Sequence, residues 1–290
     1  MTRRIRRIAA MTALWLAAAC LGGAQASGSR LPATGGASQI EGAGGGGLVP
    51  WALITGYGSR DEMAGNAFYT RVQSQGFWLE SAGAAVGIHD RLELSFARQR
   101  FDLGSTVPGE RISQDIVGLK WRIYGDALAD QDRPWPQLAV GLMAKRNRDF
   151  ALVPRSLGAR SGRDIEPYMA ATKLWLAGLG GRTTLLNTTL RYTRANQLGI
   201  LGFGGDKSNQ RRLRLEGSAA VFLTDALIVG LEYRQKNDNL SVFRESRFAD
   251  AFVAWVPNRR FSLVAAHTEL GNIADKPGQR GPYVSAKLDF

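Results

Sequence analysis

Tyr283-Val284-Ser285-Ala286-Lys287-Leu288-Asp289-Phe290 closes the chain. Val284, Ala286 and Leu288 alternate with Ser285, Lys287 and Asp289, so one face of the segment is apolar and the other polar. A period of two marks a β-strand, because successive side chains point to opposite faces of a sheet. The strand runs to the end of the sequence, and its last residue joins an aromatic ring to the terminal carboxylate.

The same alternation recurs upstream. Leu92, Leu94 and Phe96 alternate with Arg91, Glu93 and Ser95, and Val117, Leu119, Trp121 and Ile123 with Lys120 and Arg122. Leu213 and Leu215 alternate with Arg214 and Glu216, and Leu231 and Tyr233 with Glu232 and Arg234. The patterning predicts strands near 64–73, 77–88, 91–101, 113–124, 137–147, 166–177, 183–194, 210–223, 227–237, 247–256, 260–270 and 281–290. Connections alternate in length. His89-Asp90, 178–182, 224–226 and 257–259 are short, whereas 102–112, 147–165, 195–209, 238–246 and 271–280 are longer. Gly125 to Pro136 breaks the rule, being of medium length where a short turn is expected. Short turns on one side and long loops on the other are the pattern of a transmembrane β-barrel, whose strand number in bacterial single chains is even. The expected fold is therefore all-β: one antiparallel transmembrane barrel over 64–290, with 12 strands as the main count and 10 or 14 as alternatives. A soluble sandwich is the competing fold, since its strands alternate too.

The start of the chain agrees. Arg3, Arg4, Arg6 and Arg7 precede a short apolar run, Ile8 to Ala19, and Ala24-Gln25-Ala26 is a cleavage site, so residues 1–26 read as a secretory signal peptide. A weaker lipoprotein-like box ends at Cys20, the sole cysteine; cleavage after Ala26 removes it, along with any disulfide or thiol chemistry. No later apolar stretch is long enough for a membrane helix, which excludes a helical membrane protein. The formal charge of +12, four of it in the leader arginines, suits anionic lipid or an anionic solute. Nucleic acid is not an expected partner of an exported protein.

The alternating strand that ends on Phe290 resembles the terminal strand of bacterial outer-membrane barrels, which implies Val284, Ala286, Leu288 and Phe290 as an insertion signal for the barrel-assembly machinery. Two further runs, Gly35 to Trp51 (GGASQIEGAGGGGLVPW) and Ala84 to Asp102 (AAVGIHDRLELSFARQRFD), are similar to the domain of unknown function 3034, a proteobacterial family. The resemblance covers nearly the whole mature chain and implies an outer-membrane location without an activity or site residues.

Candidate chemistry is sparse. Gly42 to Gly47 lacks the Lys-Ser/Thr of a phosphate loop, so its glycines read as structural. The Gly-rich segment 27–63 is left over from the 12-strand count, and its Val49 to Gly58 stretch is read either as folded into the lumen or as part of a 14-strand count. With two histidines and a cysteine-free mature chain, no metal or cofactor is expected. His89 lies at a turn; His267 paired with Ser285 is the one conceivable hydrolase constellation, unsupported by any local motif.

The polar strand faces carry the functional expectation. Lumen candidates are Arg91, Lys120, Arg122, Arg191, Arg214, Arg234 and Lys287 against Glu80, Glu93, Glu216, Glu232, Asp250 and Asp289. Such a near-balance either pairs across a narrow interior or lines a path for anions. Arg148, Arg155, Arg160, Arg163, Lys207, Arg211, Arg212, Arg244, Arg247, Lys276 and Arg280 fall in or beside the long loops, where guanidinium groups suit lipopolysaccharide phosphates. Trp78, Trp121, Tyr124, Trp135, Tyr168, Trp175, Tyr192, Tyr233, Trp255 and Tyr283 are expected in girdles at the membrane interfaces. The resulting expectation is a passive outer-membrane channel for small solutes, anionic ones included. A closed structural or interaction barrel stoppered by the Gly-rich segment is the alternative, and a membrane-embedded hydrolase the third reading.

Overall fold

The computed structural model describes residues 33, 35–273 and 276–290. The expected leader and Cys20 lie outside the described residues. A small ribbon comes first, β1 (Ala37–Ser38) on β2 (Gly44–Gly45). The barrel strands follow: β3 (Met63–Gln73), β4 (Trp78–Ile88), β5 (Leu92–Asp102), β6 (Arg111–Tyr124), β7 (Gln137–Asn147) and β8 (Arg163–Trp175). Then come β9 (Thr184–Thr193), β10 (Arg212–Phe222), β11 (Leu227–Gln235), β12 (Arg247–Asn258), β13 (Phe261–Ile273) and β14 (Lys276–Asp289). A one-turn helix, α1 (Val153–Ser156), sits in the β7–β8 loop.

Every barrel strand pairs antiparallel with its neighbour in sequence, and β14 closes on β3 through Tyr283↔Val72 to Asp289↔Asn66. The 12-strand antiparallel barrel is thus present, and closure leaves no unpaired sheet edge. One connection differs from expectation, and another is as long as its sequence implied. Pairing of β13 with β14 continues to Ile273↔Lys276, so much of the expected 271–280 loop is strand, with register shifts at Gly271, whose φ of 63° suits a residue without a Cβ. The 125–136 connection is long because it folds on itself: Asp126 Oδ1 accepts from Leu128 and Ala129 N–H, and Ala127 N–H donates to Gln137 at 3.0 Å.

The two faces of the wall are inverted relative to a soluble protein. Trp121, Leu213 and Leu231 are 53 %, 64 % and 62 % exposed on the outer face, while Thr70, Gln99, Gln114 and Thr189 are fully buried on the inner one. An apolar exterior around a polar interior is the arrangement of a barrel solvated by lipid, and it excludes the sandwich. Trp121, Tyr124, Trp135, Trp175, Tyr192, Tyr233 and Trp255 are exposed as girdle residues should be. Tyr168 and Tyr283 are not: they share strand parity with Glu166 and Ser285 and are buried in the lumen. Glu80 departs the other way. It lies between buried Leu79 and Ser81, so it takes the outer face, where Tyr69 donates to it at 3.0 Å.

The C-terminus shares one end of the barrel with the 89–91, 223–226 and 259–260 turns, and the loops 103–110, 148–162, 194–211 and 236–246 lie at the other. Residues 38–57 are all buried, and they fill the space between the walls.

Candidate functional site

The Gly-rich segment forms a hairpin inside the lumen, entering from the turn end, reversing near Ile40 and Glu41, and returning to β3. Its backbone is held by side chains from most of the wall. Gly44 and Thr55 N–H donate to Glu93, each at 2.9 Å, and Lys120 Nζ donates to Gly44 O, Leu53 O and Glu93. Leu48 N–H donates to Glu232 at 2.6 Å, and Ser218 Oγ to the other oxygen of the same carboxylate at 2.7 Å. Thr189 and Gln137 hold Pro50 O and Ala52 O, both at 2.7 Å, and Lys287 holds Gly36 O at 2.7 Å. Around Trp51 the hairpin also meets apolar side chains of β9 to β13, among them Leu185, Ala220, Ile228, Phe252 and Val264.

The glycines are explained by these approaches. A Cβ on Gly46 would lie 2.1 Å from Glu232 Oε1, one on Gly44 2.9 Å from Glu93 Oε2, and one on Gly45 2.3 Å from Val49 O. The run is structural, as its sequence implied: a backbone must press against lumen carboxylates.

The only carboxylate the hairpin brings, Glu41, sits in a buried ion cluster. Arg234 forks onto it, Nη1 to Oε2 at 2.7 Å and Nη2 to Oε1 at 3.3 Å; Lys145 Nζ donates to it, and Arg191 Nη2 stands at 3.6 Å. Wall carboxylates complete the set. Glu166 lies 2.5 Å from Lys145, and Glu216 lies 2.6 Å from Arg191 and 3.2 Å from Arg234. Three cations thus face three carboxylates, one of them from the hairpin.

A second element closes the long-loop end. The β9–β10 loop dips inward through a short 3₁₀ turn, Gln197–Gly199, in which Gln197 and Leu198 take positive φ of 46° and 65°. Lys145 and Gln114 both donate to Leu198 O at 3.1 Å, and Asn147 to Ile200 O at 2.6 Å. Gln197 donates to Glu245, itself 3.1 Å from Lys236. Burial pushes the Glu245 carboxyl up against the opposing pull of Lys236, and burial lowers the Lys236 ammonium against the pull of Glu245. Between lid and hairpin lies an apolar cavity of about 50 Å³, lined by Ile40, Leu48, Phe77, Phe101, Leu198 and Phe248. Another of about 30 Å³ lies between Trp51 and β12–β13. Both are far below the roughly 300 Å³ of small ligand pockets.

Of the lumen candidates, Glu93, Lys120, Arg122, Arg191, Glu216, Glu232, Arg234 and Lys287 are buried inside, together with Asp250 and Asp289. Arg214 is half-buried on the inner face and donates to Asn237 at 2.7 Å. Arg91 is a correction: it precedes β5, is exposed, and lines a cleft of about 440 Å³ at the turn end with Arg60, Arg122 and Arg133. Lys145 and Glu166 were missed in sequence although their strand parity with Met143 and Tyr168 places them inward. Glu41 carried no such signal, since nothing periodic surrounds it.

His267 and Ser285 do not meet. His267 is exposed on the outer face of β13 while Ser285 is buried in the lumen, bonded to Thr70 at 2.8 Å. Among the described residues no group of His, Cys, Asp or Glu is placed to hold a metal. Val284 and Leu288 face outward, and Phe290 exchanges backbone hydrogen bonds with Gly65 at 2.8 and 2.9 Å. Several loop cations are engaged within the protein: Arg148 with Asp115 at 2.8 Å, Arg211 with Asp164, and Lys207 with Asp238.

Solved structures with this fold include the KdgM porin, 9 % identical with a TM-score of 0.51, and the KdgM porin in complex with disordered oligogalacturonate, 8 % identical with a TM-score of 0.52. In both cases the match covers 78 % of this chain and 99 % of that one, and at such identity the likeness speaks for the fold alone. No curated protein sequence matches. The family model for the protein of unknown function DUF3034 matches residues 34–287, hairpin and barrel together, so the chain belongs to the DUF3034 family.

Proposed function

We propose that this protein is a passive outer-membrane channel for small solutes, held closed by residues 35–58 as a displaceable plug, with the C-terminus and tight turns in the periplasm. The observation that carries the reading is the chemistry of the plug–wall contact. Beside an apolar patch around Leu48 and Trp51, side chains of β5, β7, β9 and β11 hold plug backbone groups and Glu41 by hydrogen bonds and ion pairs. Hydrogen bonds that water can replace contribute only about 0.5–1.5 kcal/mol each net, so a polar seat can be vacated into a hydrated lumen. A dry apolar interface of the same extent could not. The likeness to porins supports the architecture, and the DUF3034 match spanning plug and barrel supports treating them as one unit.

In this reading residues 1–26 are the export signal, Phe290 and the outward Val284, Ala286 and Leu288 are read by the assembly machinery, and loop arginines such as Arg160 and Arg163 meet lipopolysaccharide. No catalytic role is assigned.

A second reading, a closed structural or interaction barrel, draws on the double closure by plug and lid. Planar-bilayer conductance of the chain from Ser27 onward, beside a variant lacking residues 27–47, separates the two. Discrete steps that lengthen or enlarge on deletion support the channel. Silence from both correctly folded proteins supports the closed barrel.

A further inference from the structure

We propose that the wall groups around Glu41, namely Lys145, Arg191 and Arg234, form a binding site for a small solute bearing a single carboxylate, and that Glu41 occupies it while the plug is seated. The inference rests on the reading of residues 35–58 as a displaceable plug and names the solute that reading leaves open.

Charge is the first reason. With Glu41 in place the cluster is balanced. When the plug leaves and water enters, three cations in the narrow lumen face only Glu166 and Glu216. The vacated seat then carries one net positive charge and attracts one negative charge. Geometry is the second. The Arg234 fork and the Lys145 ammonium grip both Glu41 oxygens, the bidentate arrangement that selects a planar carboxylate. Glu216 holds Arg191 and Arg234, and Glu166 holds Lys145, so the donors stay aimed when Glu41 departs. Beside the seat, Ser81 Oγ and Gln99 Nε2 now donate to Ile40 O at 2.7 and 2.9 Å, and would serve solute hydroxyl or carbonyl oxygens.

The flank limits the solute to one charge. Glu232 lies two positions from Arg234 on the same face of β11, roughly 7 Å away along the strand, and its register partner Asp250 has an oxygen with no hydrogen-bond partner. A second carboxylate on that side meets two acids. Glu93 is already answered by Lys120.

The test uses gluconate, glucarate and glucose, which share a six-carbon hydroxylated frame and differ in carboxylate number. Ser38→Cys puts the sole thiol of the mature chain in buried β1. Its labelling rate by a charged maleimide reports plug withdrawal, with heat-modifiable gel mobility checking the barrel. Gluconate is expected to raise the rate saturably by roughly tenfold or more, the factor that one or two charge-assisted hydrogen bonds supply. Glucose should leave it unchanged and glucarate should act more weakly. In parallel, Glu41→Gln in the cysteine-free chain should conduct, and gluconate should block that chloride current where glucose does not. Flat labelling with an open, undiscriminating Glu41→Gln channel overturns the carboxylate site and leaves the channel standing. Gluconate-dependent labelling with no current in either chain upholds the site and overturns the channel. Failure of both overturns both. If Glu41→Gln does not assemble, the labelling titration in the wild-type background still decides the site.

Discussion

Arg234 and Glu41, 193 positions apart in sequence, meet through two hydrogen bonds of 2.7 and 3.3 Å in the middle of the lumen. The contact ties the plug to β11, and Glu216 ties Arg234 to the wall behind it. Removing one member of such a buried network costs about 3–5 kcal/mol. Glu41→Ala should therefore lower amide-exchange protection at residues 38–48 while the barrel strands keep theirs. Pairing it with Arg234→Met should give a non-additive cycle, with coupling of about 0.5–3 kcal/mol. Additive effects would mean that the two residues hold the plug independently.

Gly45 probes the plug from its own side. A Cβ there would lie 2.3 Å from Val49 O and 2.8 Å from Pro50 Cα, both backbone neighbours that the hairpin cannot move cheaply. Gly45→Ala should destabilise the seated plug by roughly 1–3 kcal/mol. Gly217→Ala is the control, because its Cβ would meet only Asn187 O at 3.5 Å. Limited proteolysis of the folded proteins should cut within 33–58 in the first variant and not in the second. Equal cleavage would show that close packing of the glycine run does not seat the plug.

The wall was legible because a barrel strand repeats one rule twelve times. Parity in the sequence alone places Glu93, Lys120, Glu216 and Arg234 inward, and the same rule places Lys145 and Glu166 there. Charge alone does not mark the lumen: Glu80 has outward parity, and a strand end tolerates a carboxylate on its outer face. Tyr168 and Tyr283 misled in the opposite sense: an aromatic ring suits the lipid boundary and a packed lumen equally well. Glu41 was illegible for a deeper reason. Its partners lie on β7, β9 and β11, and no local pattern encodes a contact made only once the barrel has closed.

Lys236 and Glu245 under the lid give a prediction of the opposite sign to the plug cluster. Burial dominates both groups, raising the carboxyl and lowering the ammonium. A carboxyl raised by folding favours the docked lid while protonated, below the ordinary value of 4.5, and that contribution is lost as pH rises through its raised value. A lowered ammonium contributes above the ordinary 10.5 and loses it as pH falls through its lowered value. Between the raised carboxyl value and the lowered ammonium value neither contribution is present. The double variant Lys236→Met/Glu245→Gln should hold the lid at least as tightly as the wild type, because the introduced thioether side chain can pack on the Phe248 ring that Lys236 now covers at 4.3 Å. Either single variant should loosen it. Amide exchange at residues 197–203 reads the difference, and a looser double variant would show that the ion pair itself holds the lid.

Phe290 separates stability from address. Its backbone exchanges two hydrogen bonds with Gly65, and its ring lies over that glycine, where a Cβ would come within 2.6 Å of Cε2. The β14–β3 ladder runs from Tyr283 to Asp289 without it, so deleting Phe290 removes about 0.5–1.5 kcal/mol per lost bond and leaves the barrel closed. Refolding into detergent should be nearly normal, whereas insertion in cells should fall severely if the assembly machinery reads the terminal residue. Gly65→Val displaces the ring but keeps Phe290 in the chain. If the address is read before folding, Gly65→Val lowers the unfolding midpoint of the assembled barrel and leaves its insertion rate unchanged. Should both variants insert equally slowly, the aromatic terminus acts through the closed seam between β14 and β3. Efficient insertion of the Phe290 deletion would remove the terminal residue from the signal altogether.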